Sequence, residues 1–554
     1  MALTLCCLCI TLASFQFGYN ISALNSPSSL IKSFIKNETY IFKPYYEQIE
    51  SFKSAEQNLL SNNFHLEYEK KEFKKIQQEL SENLFSSQKY KKFLNKKFKK
   101  ENEISDHFNT SMEEYLEKLE NLLVEEKLRL EKFKLKLIQD ESEVNEMTEI
   151  VWTILNSLFV LGGMTGAFGS KFIMDKIGRK MSMVLHNLFS TTASILVASS
   201  THLSSPVLVL ISRFFFGIQG GFACSIVPTY LSEIAPNKLR GRIGVLHQLF
   251  ITLGIVSAQV IGFRQILGSQ GSWNYLLAVP IIPALVGSIA LLLFFPESPK
   301  ALLIKNKADL ALEALRILRH EFDVKWELQE MDDEIKKGDC GKVVSIIGLF
   351  QDSELRLPLF TALVLQASMQ LCGVNAVTTI FKESGIENDY IQYAIFTTGL
   401  VNILATFVCV PLIDKLGRRP LLLVSLAVMI INYIFLVVSL TLKKKYEIMS
   451  YISLVCILIF ILSFAVSLGP IPYVYAAECF RQNSRSSAMA LCSLVNWTSS
   501  LVLTLMFPFL QRLIHQYVFL VFTAIVSFSF LVIAKKVPET KGKSIDQIMK
   551  EFNS

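Results

Sequence analysis

The chain has 554 residues, of which 51% are hydrophobic and only 19% are charged, a composition too apolar for a water-soluble protein of this length. Runs of about 20 apolar residues recur along it, and each can cross a bilayer about 30 Å thick as a helix. We therefore predict an all-α membrane protein that spans the bilayer many times. This composition excludes a fibrous, secreted or nucleic-acid-binding soluble protein.

The charged residues are concentrated in one segment. Residues 26–150 contain 21 Lys and Arg and 24 Asp and Glu, so 45 of the 103 charged residues of the chain lie there. None of the ten cysteines lies in this segment, and their spacing elsewhere indicates neither a disulfide framework nor a metal site. The chain is therefore a membrane body with one charged insertion, and we expect no cofactor.

Hydropathy predicts twelve membrane-spanning helices. The first, within 1–25, has no basic segment before it, which favours a span over a cleaved signal peptide. Five more lie in 149–295 and six in 357–536, and the linker 296–356 is predicted to form short surface helices. The predicted spans are 3–25, 149–171, 182–201, 206–228, 244–263, 273–295, 357–382, 389–412, 420–441, 449–472, 488–510 and 516–535.

Lysines and arginines are concentrated in alternate loops. The positive-inside rule places these loops, both termini and the tail 537–554 in the cytoplasm. The run Lys443–Lys445 is an exception, because this orientation puts it on the outer side. The charged segment 26–148 is then extracellular.

Three loop motifs occur twice, in the same order and about 240 residues apart. Such a repeat indicates two pseudo-symmetric six-helix bundles. The repeated elements are Asp175–Lys180 with Asp414–Arg419, Glu233 and Arg240 with Glu478 and Arg485, and Pro296-Glu297 with Pro538-Glu539.

The insertion contains no glycine between 40 and 148, and apolar residues recur every seven positions from Phe52 to Leu80. This spacing is typical of packed helices, so we predict a hairpin of two long helices separated near Asp106–Thr110. A solvated, partly disordered loop is the alternative. Asn37 and Asn109 begin N-glycosylation sequons, and an unknown extracellular partner could bind this segment.

Amide side chains lie inside several predicted spans, where they either face a wet cavity or form hydrogen bonds between helices. A cavity with neutral donors, neutral acceptors and an aromatic surface suits a sugar. Gln366, Gln370 and, nearly, Asn375 share one helical face. The other polar candidates are Gln248 and Gln259 in the fifth span, Asn402 in the eighth, and Asn496 beside Trp497 in the eleventh.

The two-bundle body with Asp-Lys-x-Gly-Arg loops resembles the major facilitator superfamily, and its other motifs resemble facilitative hexose transporters of the sugar-porter family. The resemblance implies transport of a small sugar across a lipid bilayer, not an enzyme activity. The motifs that carry it are Gly18–Asn20, Arg213, Tyr230–Glu233, Pro296–Lys300, Gly469–Tyr473, Asn496–Thr498 and Val537–Gly542.

The resemblance also implies a sugar site formed by Gln248, Gln366, Gln370, Asn375, Asn402, Tyr473, Asn496 and Trp497. The chain departs from the glucose-type pattern at several positions, which leaves the substrate open between glucose, fructose, another hexose and a smaller polyol. Met369 replaces a Gln, Ala465 an acidic residue, Tyr473 a Trp, and Thr379 and Ile380 two gate tyrosines.

Charged loop residues should bridge the two bundles when the cavity is open outward, by the same resemblance. Such pairs must break in every cycle, consistent with about 1 kcal/mol for solvent-reachable ion pairs. The predicted network contains Asp175, Arg179, Arg213, Glu233, Arg240, Glu297, Asp414, Arg418, Glu478, Arg485 and Glu539.

Proton coupling requires a carboxylate that changes protonation within the membrane. Related proton symporters have Asp after Gly-Tyr where this chain has Asn20, and the predicted spans contain no Asp or Glu away from their ends. We therefore expect uncoupled transport across the plasma membrane, with Gly469–Pro472 forming a bend in the tenth span. A sugar sensor that binds without transporting is the alternative.

Overall fold

A computed structural model describes residues 2–25, 27–38, 101–236, 239–319, 323–337, 344–374, 388–443, 445–446, 448–543 and 545–553, with scattered residues between 50 and 75. All regular structure in these residues is helical, which confirms the all-α prediction. The chain forms two compact units. One is the membrane body, Met1–Ser33 with Trp152–Ser554, and the other is the insertion, Phe34–Val151.

Eleven helices in the described residues are long and apolar enough to cross a membrane. Together with the helix Ser353–Leu371 they make twelve spans, which we number in chain order, and we call the first six the N-terminal half and the last six the C-terminal half. They are Ala2–Ser22, Val144–Ile177, Arg179–Ser200, Pro206–Ile234, Arg240–Ile261, Trp273–Phe294, Ser353–Leu371, Asn388–Leu416, Arg418–Leu442, Ile448–Cys479, Gln482–Ile514 and Val518–Lys536.

The seventh, Ser353–Leu371, is not among the eleven. Arg356, Gln366 and Gln370 lower its hydropathy. Residues 375–387, part of which the sequence assigned to this span, lie outside the described residues, so eleven of the twelve predicted spans are confirmed.

Two spans are interrupted at prolines. The sixth consists of Trp273–Ala278 and Ile281–Phe294, with Pro280 between them. The tenth consists of Ile448–Val466 and Ile471–Cys479, and Gly469-Pro470 separates them. Proline has no N–H to continue the helical hydrogen bonds, so the bend predicted in the tenth span is confirmed.

The second and fourth spans pack through glycines. A Cβ atom on Gly217 would lie far closer to the carbonyl oxygen of Phe159 than real Cβ atoms come, and one on Gly162 would meet that of Phe214 in the same way. The first and fifth spans approach equally closely at Gly18 and Gly254. Small residues let helix backbones touch in a bilayer, where van der Waals packing holds spans together.

One helix runs from Glu101 to Ile177, so the second half of the insertion and the second span are continuous. The predicted break at Asp106–Thr110 is therefore wrong, because no Pro or Gly lies between 101 and 161 to end a helix. The seven-residue positions from Phe52 to Leu80 lie outside the described residues. Asn37 is exposed near the end of helix Ser28–Glu38, and Asn109 lies within the long helix.

The linker forms the predicted short helices, Pro299–Ile304, Ala308–Arg319, Lys325–Lys337 and Gly348–Gln351. The first three share a small apolar core. The Nη1 of Arg319 donates to the carbonyl oxygen of Ile234 (3.0 Å), which ties this core to the end of the fourth span. The chain ends in the amphipathic helix Ile545–Asn553.

We expect Gly217→Ala to destabilise the N-terminal half by about 1–3 kcal/mol, the usual cost of overpacking. The added methyl group meets backbone, which cannot move aside as a side chain can. The thermal unfolding temperature of the purified protein would measure this. Gly169→Ala is the matched control, since its Cβ would meet nothing nearer than a Phe222 ring carbon at 3.9 Å. Equal unfolding temperatures for the two variants would contradict the packing described.

Candidate functional site

A cavity of about 330 Å³ lies between the N-terminal and C-terminal halves of the membrane body. Its wall is formed by the first, second, fourth and fifth spans on one side and mainly by the seventh, eighth, tenth and eleventh on the other. The described lining residues include no Asp or Glu. The polar ones are Ser22, Asn25, Asn156, Arg213, Gln259, Gln370, Thr398, Asn402, Asn496, Ser500 and Thr504, and the aromatic ones are Phe17, Phe159, Phe464 and Trp497.

Three of the predicted amides form a chain of hydrogen bonds. Gln370 Nε2 donates to Asn496 Oδ1 (3.0 Å), and Asn496 Nδ2 donates to Gln366 Oε1 (3.1 Å). Gln370 and Asn496 line the cavity, whereas Gln366 lies one helical turn deeper and is fully buried. These hydrogen bonds fix the orientation of the Gln370 and Asn496 amides, so their donor and acceptor groups are held in place before any solute binds.

Trp497 forms an aromatic wall between the halves. Its ring centroid lies 5.5 Å from that of Phe17 and 5.4 Å from that of Phe159, the second contact being edge-on. A Cβ on Gly163 would overlap the indole, so the absence of a side chain there admits it. The Trp497 indole of the C-terminal half therefore packs among residues of the N-terminal half.

Gln248 and Tyr473 lie outside the cavity lining. Gln248 is buried beside Gly469, whose Cβ would be 3.2 Å from Gln248 Nε2. The Tyr473 hydroxyl lies 3.5 Å from Cys224 Sγ, and its ring meets His247 edge-on at 4.8 Å. These two predicted sugar-site residues therefore fill the space between the halves beside the cavity. Of the remaining two, Asn402 lines the cavity and Asn375 lies outside the described residues.

Arg213 lies in the cavity wall, away from the other residues of the predicted charged network. One Nη donates to the carbonyl oxygen of Asn20 (3.2 Å), and the guanidinium carbon lies 4.3 Å from the Phe159 ring centroid. The Asn20 side chain itself donates to Gln219 Oε1 (3.4 Å). At the position where related proton symporters have Asp, this chain therefore has a neutral Asn, which contacts the guanidinium through its backbone and Gln219 through its side chain.

The repeated loop motifs lie together at one end of the bundle, which we call the basic end and define by Asp175–Lys180 and Asp414–Arg419. In the N-terminal half, Arg179 contacts Glu233 at 2.9 Å, and both side chains are buried. Glu297 Oε1 accepts hydrogen bonds from the backbone N–H groups of Arg179 (2.9 Å) and Lys180 (3.2 Å). Burial raises the pKa of the Glu297 carboxyl above its usual value, and the hydrogen bonds from backbone N–H groups offset only part of this rise.

The C-terminal half repeats this arrangement. Arg418 contacts Glu478 at 2.7 Å, and Glu539 accepts from the N–H groups of Arg418 and Arg419, each at 3.0 Å. In both halves the carboxylate binds the N-terminus of a helix, where the helix dipole favours negative charge. The residue just before each of these helices is a glycine with positive φ, 94° at Gly178 and 95° at Gly417. Other residues rarely adopt this conformation.

Other side chains connect the two halves at the basic end. Arg242 Nε lies 3.0 Å from Asp414 Oδ2, Gln482 Nε2 donates to Glu233 Oε1 (2.6 Å), and Ser486 Oγ donates to Asp175 Oδ1 (3.1 Å). The halves are therefore closed against each other here, while Asn25 of the cavity wall is exposed at the opposite end.

The Arg-Glu pairs, predicted to bridge the halves, thus join residues of the same half. Three other members of the predicted network, Asp175, Glu233 and Asp414, do contact the opposite half, but their partners Ser486, Gln482 and Arg242 were not predicted. These three partners are not part of the repeated motifs, so the repeat carried no signal for them. Arg485 Nη1 donates to Gln482 Oε1 (2.6 Å) and so supports the cross-half contact, while Arg240 begins the fifth span.

No group of three or more His, Cys, Asp and Glu side chains that could hold a metal ion occurs in the part of the chain that the structure describes. The chemistry available at the cavity is hydrogen bonding by amides and hydroxyls, contact with aromatic rings, and the positive charge of Arg213.

The family model for "Sugar (and other) transporter" matches residues 6–552. The chain therefore belongs to this sugar transporter family, whose members are transporters and not enzymes. Within that family it is similar to the solute carrier family 2 facilitated glucose transporters. It is 38% identical over 407 residues to mouse member 3, which covers 73% of this chain and 82% of the relative, and 37% identical over 408 residues to rat member 5, with 73% and 81% covered.

Among solved structures, the proton:xylose symporter XylE bound to 6-bromo-6-deoxy-D-glucose matches with a TM-score of 0.69 at 18% identity, covering 99% of this chain and 98% of that one. An inward open conformation of XylE from E. coli matches with a TM-score of 0.54 at 20% identity, over 72% and 88%. At these identities the matches show the shared fold.

We expect Glu233→Gln to destabilise the protein by about 3–5 kcal/mol, because it leaves the buried Arg179 without its partner. It also changes the acceptor for Gln482, so the basic end should open more often. Labelling of a cysteine introduced at Ser486 by a membrane-impermeant maleimide from the basic side would report this opening.

Glu478→Gln is the matched control for this prediction. It breaks the equivalent pair, but Arg418 keeps Asp414 at 3.4 Å, and no described contact between the halves uses Glu478. Its labelling rate should stay close to that of the unsubstituted protein. Equal rates for the two variants would show that Glu233 does not hold the halves together.

Proposed function

We propose that the protein is a facilitative, uncoupled transporter of a hexose such as glucose or fructose, which binds in the cavity between the halves and crosses by alternating access. The observation that carries this proposal is the cavity itself, formed by both halves and lined by neutral amides, hydroxyls and aromatic rings. Residues of both halves then contact one solute, so a relative rotation of the halves can expose it to either side.

The chemistry of the cavity matches a monosaccharide. A sugar ring presents hydroxyl groups that donate and accept, and the oriented amides of Gln370 and Asn496 do both. Its less polar faces suit contact with Trp497 or Phe159. The volume of about 330 Å³ lies at the lower end of the range of about 300–1,000 Å³ typical of small-molecule sites.

The charges near the cavity support transport without proton coupling. The described lining carries no carboxylate, and the residue whose backbone carbonyl oxygen accepts from Arg213 is Asn20, which has a neutral side chain. A proton-coupled mechanism needs a group in the membrane that changes protonation as the solute moves. We therefore propose that the solute moves down its own gradient.

The contacts between the halves at the basic end are weak enough to break in each transport cycle. Arg242 is half exposed, so its pair with Asp414 is worth about 0–1 kcal/mol, within the range of exposed ion pairs. The buried pairs Arg179–Glu233 and Arg418–Glu478 remain inside their own halves. We propose that the basic end faces the cytoplasm of a cell whose plasma membrane holds the protein, and that this arrangement is open to the outside.

Uptake into proteoliposomes tests the function. Labelled glucose or fructose should equilibrate faster than into protein-free liposomes, and a proton ionophore should leave the rate unchanged. Polyol uptake without hexose uptake would replace the substrate, and a rate that follows the pH gradient would overturn the uncoupled mechanism. Saturable binding with no uptake of any solute would favour a sensor.

Asn496→Leu should raise the half-saturating hexose concentration at least about tenfold, because it removes the amide that orients Gln370 and leaves buried donors and acceptors unpaired. The initial rate of uptake against sugar concentration measures this. Asn432→Leu is the control, since Asn432 donates to Cys456 O (2.8 Å) away from the cavity. Its effect should be confined to the amount of folded protein. A change in half-saturation shared by both variants would argue against a direct role of Asn496.

A further inference from the structure

The fifth and eighth spans, one from each half, contact each other beside the cavity. Gln259 of the fifth span and Gly399 of the eighth both line it. Towards the end opposite the basic end, the ring centroid of Phe263 lies 5.7 Å from that of Tyr393 and 5.9 Å from that of Phe396. The two spans therefore form a closed wall on this side, and Gln259 and Gly399 lie where that wall meets the cavity.

Gly399 leaves the room that the Gln259 carboxamide occupies. A Cβ atom at residue 399 would lie well below 3.0 Å from Gln259 Oε1 and 2.8 Å from Val256 Cγ2, separations that real Cβ atoms do not show. The carboxamide of one half thus lies against the bare backbone of the other.

The oxygen of the Gln259 carboxamide accepts no hydrogen bond from the described residues. This atom, Oε1, is buried. A buried acceptor without a partner costs free energy, so a hydroxyl group of a bound solute would be a favourable partner for it. Gln259 was among the amides noted in the sequence, but no repeated motif includes it.

We propose that Gly399 and Gln259 act as one specificity-determining element that sets the size of the sugar the cavity accepts. This proposal rests on the proposed function of the same cavity. While residue 399 has no side chain, the carboxamide lies back against the eighth span and the cavity keeps its full width. A methyl group at residue 399 would overlap Oε1, so the carboxamide would have to move, and we expect it to move into the cavity that Gln259 lines. The remaining space then suits a pentose better than a hexose.

Gly399→Ala tests this directly. Alanine is the better helix former, so any loss of function comes from the contact and not from the helix. We expect the ratio of hexose to pentose uptake, each as rate over half-saturating concentration, to fall by at least about tenfold, the scale on which a pocket discriminates one carbon unit. Binding of the same two sugars to the purified protein, measured by titration calorimetry, gives this ratio even without transport. An unchanged ratio overturns the proposal.

Second substitutions separate the carboxamide from simple helix packing. Gly399→Ala with Gln259→Ala removes the displaced group, so the ratio should return to within about twofold of that of Gln259→Ala alone. Gly399→Ala with Val256→Ala relieves the other close contact and should leave the ratio low. Recovery with the Val256 substitution but not with the Gln259 substitution would assign the effect to packing and overturn the proposal. Absence of both binding and uptake of any sugar by the unsubstituted protein would overturn the proposed function, and this proposal with it.

Discussion

A bilayer gives polar side chains no water to bond, so those inside the spans have to find partners within the protein or line a wet cavity. The membrane body follows this constraint. Gln366, Gln370 and Asn496 form hydrogen bonds with one another across the seventh and eleventh spans, and in the N-terminal half Gln16 donates to Asn187 (3.1 Å). The carboxamide oxygen of Gln259, which has no hydrogen-bond partner among the described residues, lies at the cavity between the halves.

The duplicated halves share their loops but not their packing. At the basic end each half has a buried Arg-Glu pair and a glutamate that binds a helix N-terminus. Within the bilayer the N-terminal half packs through glycines at backbone contact, whereas the C-terminal half has an aromatic cluster that includes Tyr433, Phe460 and Phe522. The two sides of the cavity differ for the same reason. The indole of Trp497 can enter the N-terminal half because Gly163 has no side chain.

Ion pairs of different burial have different roles at the basic end. A buried pair is costly to break, because separation leaves a charge without water, and such pairs lie inside each half. The pair between halves, Arg242 with Asp414, is solvent-reachable and cheap to break. Buried pairs within each half and a solvent-reachable pair between them suit the proposed rocking of the halves.

The sequence by itself determined the all-helical membrane body, the two repeated halves, the bend in the tenth span and the charged insertion. Each of these depends on local composition or on a repeat that is visible along one chain. Gln370, Asn402 and Asn496, which line the cavity, were also selected from the sequence, because polar residues are conspicuous in apolar spans.

Only the tertiary structure decided which polar side chains share a cavity. Gln248 and Tyr473 lie beside it, Arg213 lies in its wall, and Arg242, Gln482 and Ser486 join the halves. Which face of a helix meets which neighbour depends on the rotation and depth of each span, and these follow from side-chain packing between segments far apart in sequence. The continuity of the insertion with the second span had a local cause, the lack of Pro and Gly between 101 and 161, whereas the contact of Gly399 with Gln259 joins residues 140 positions apart.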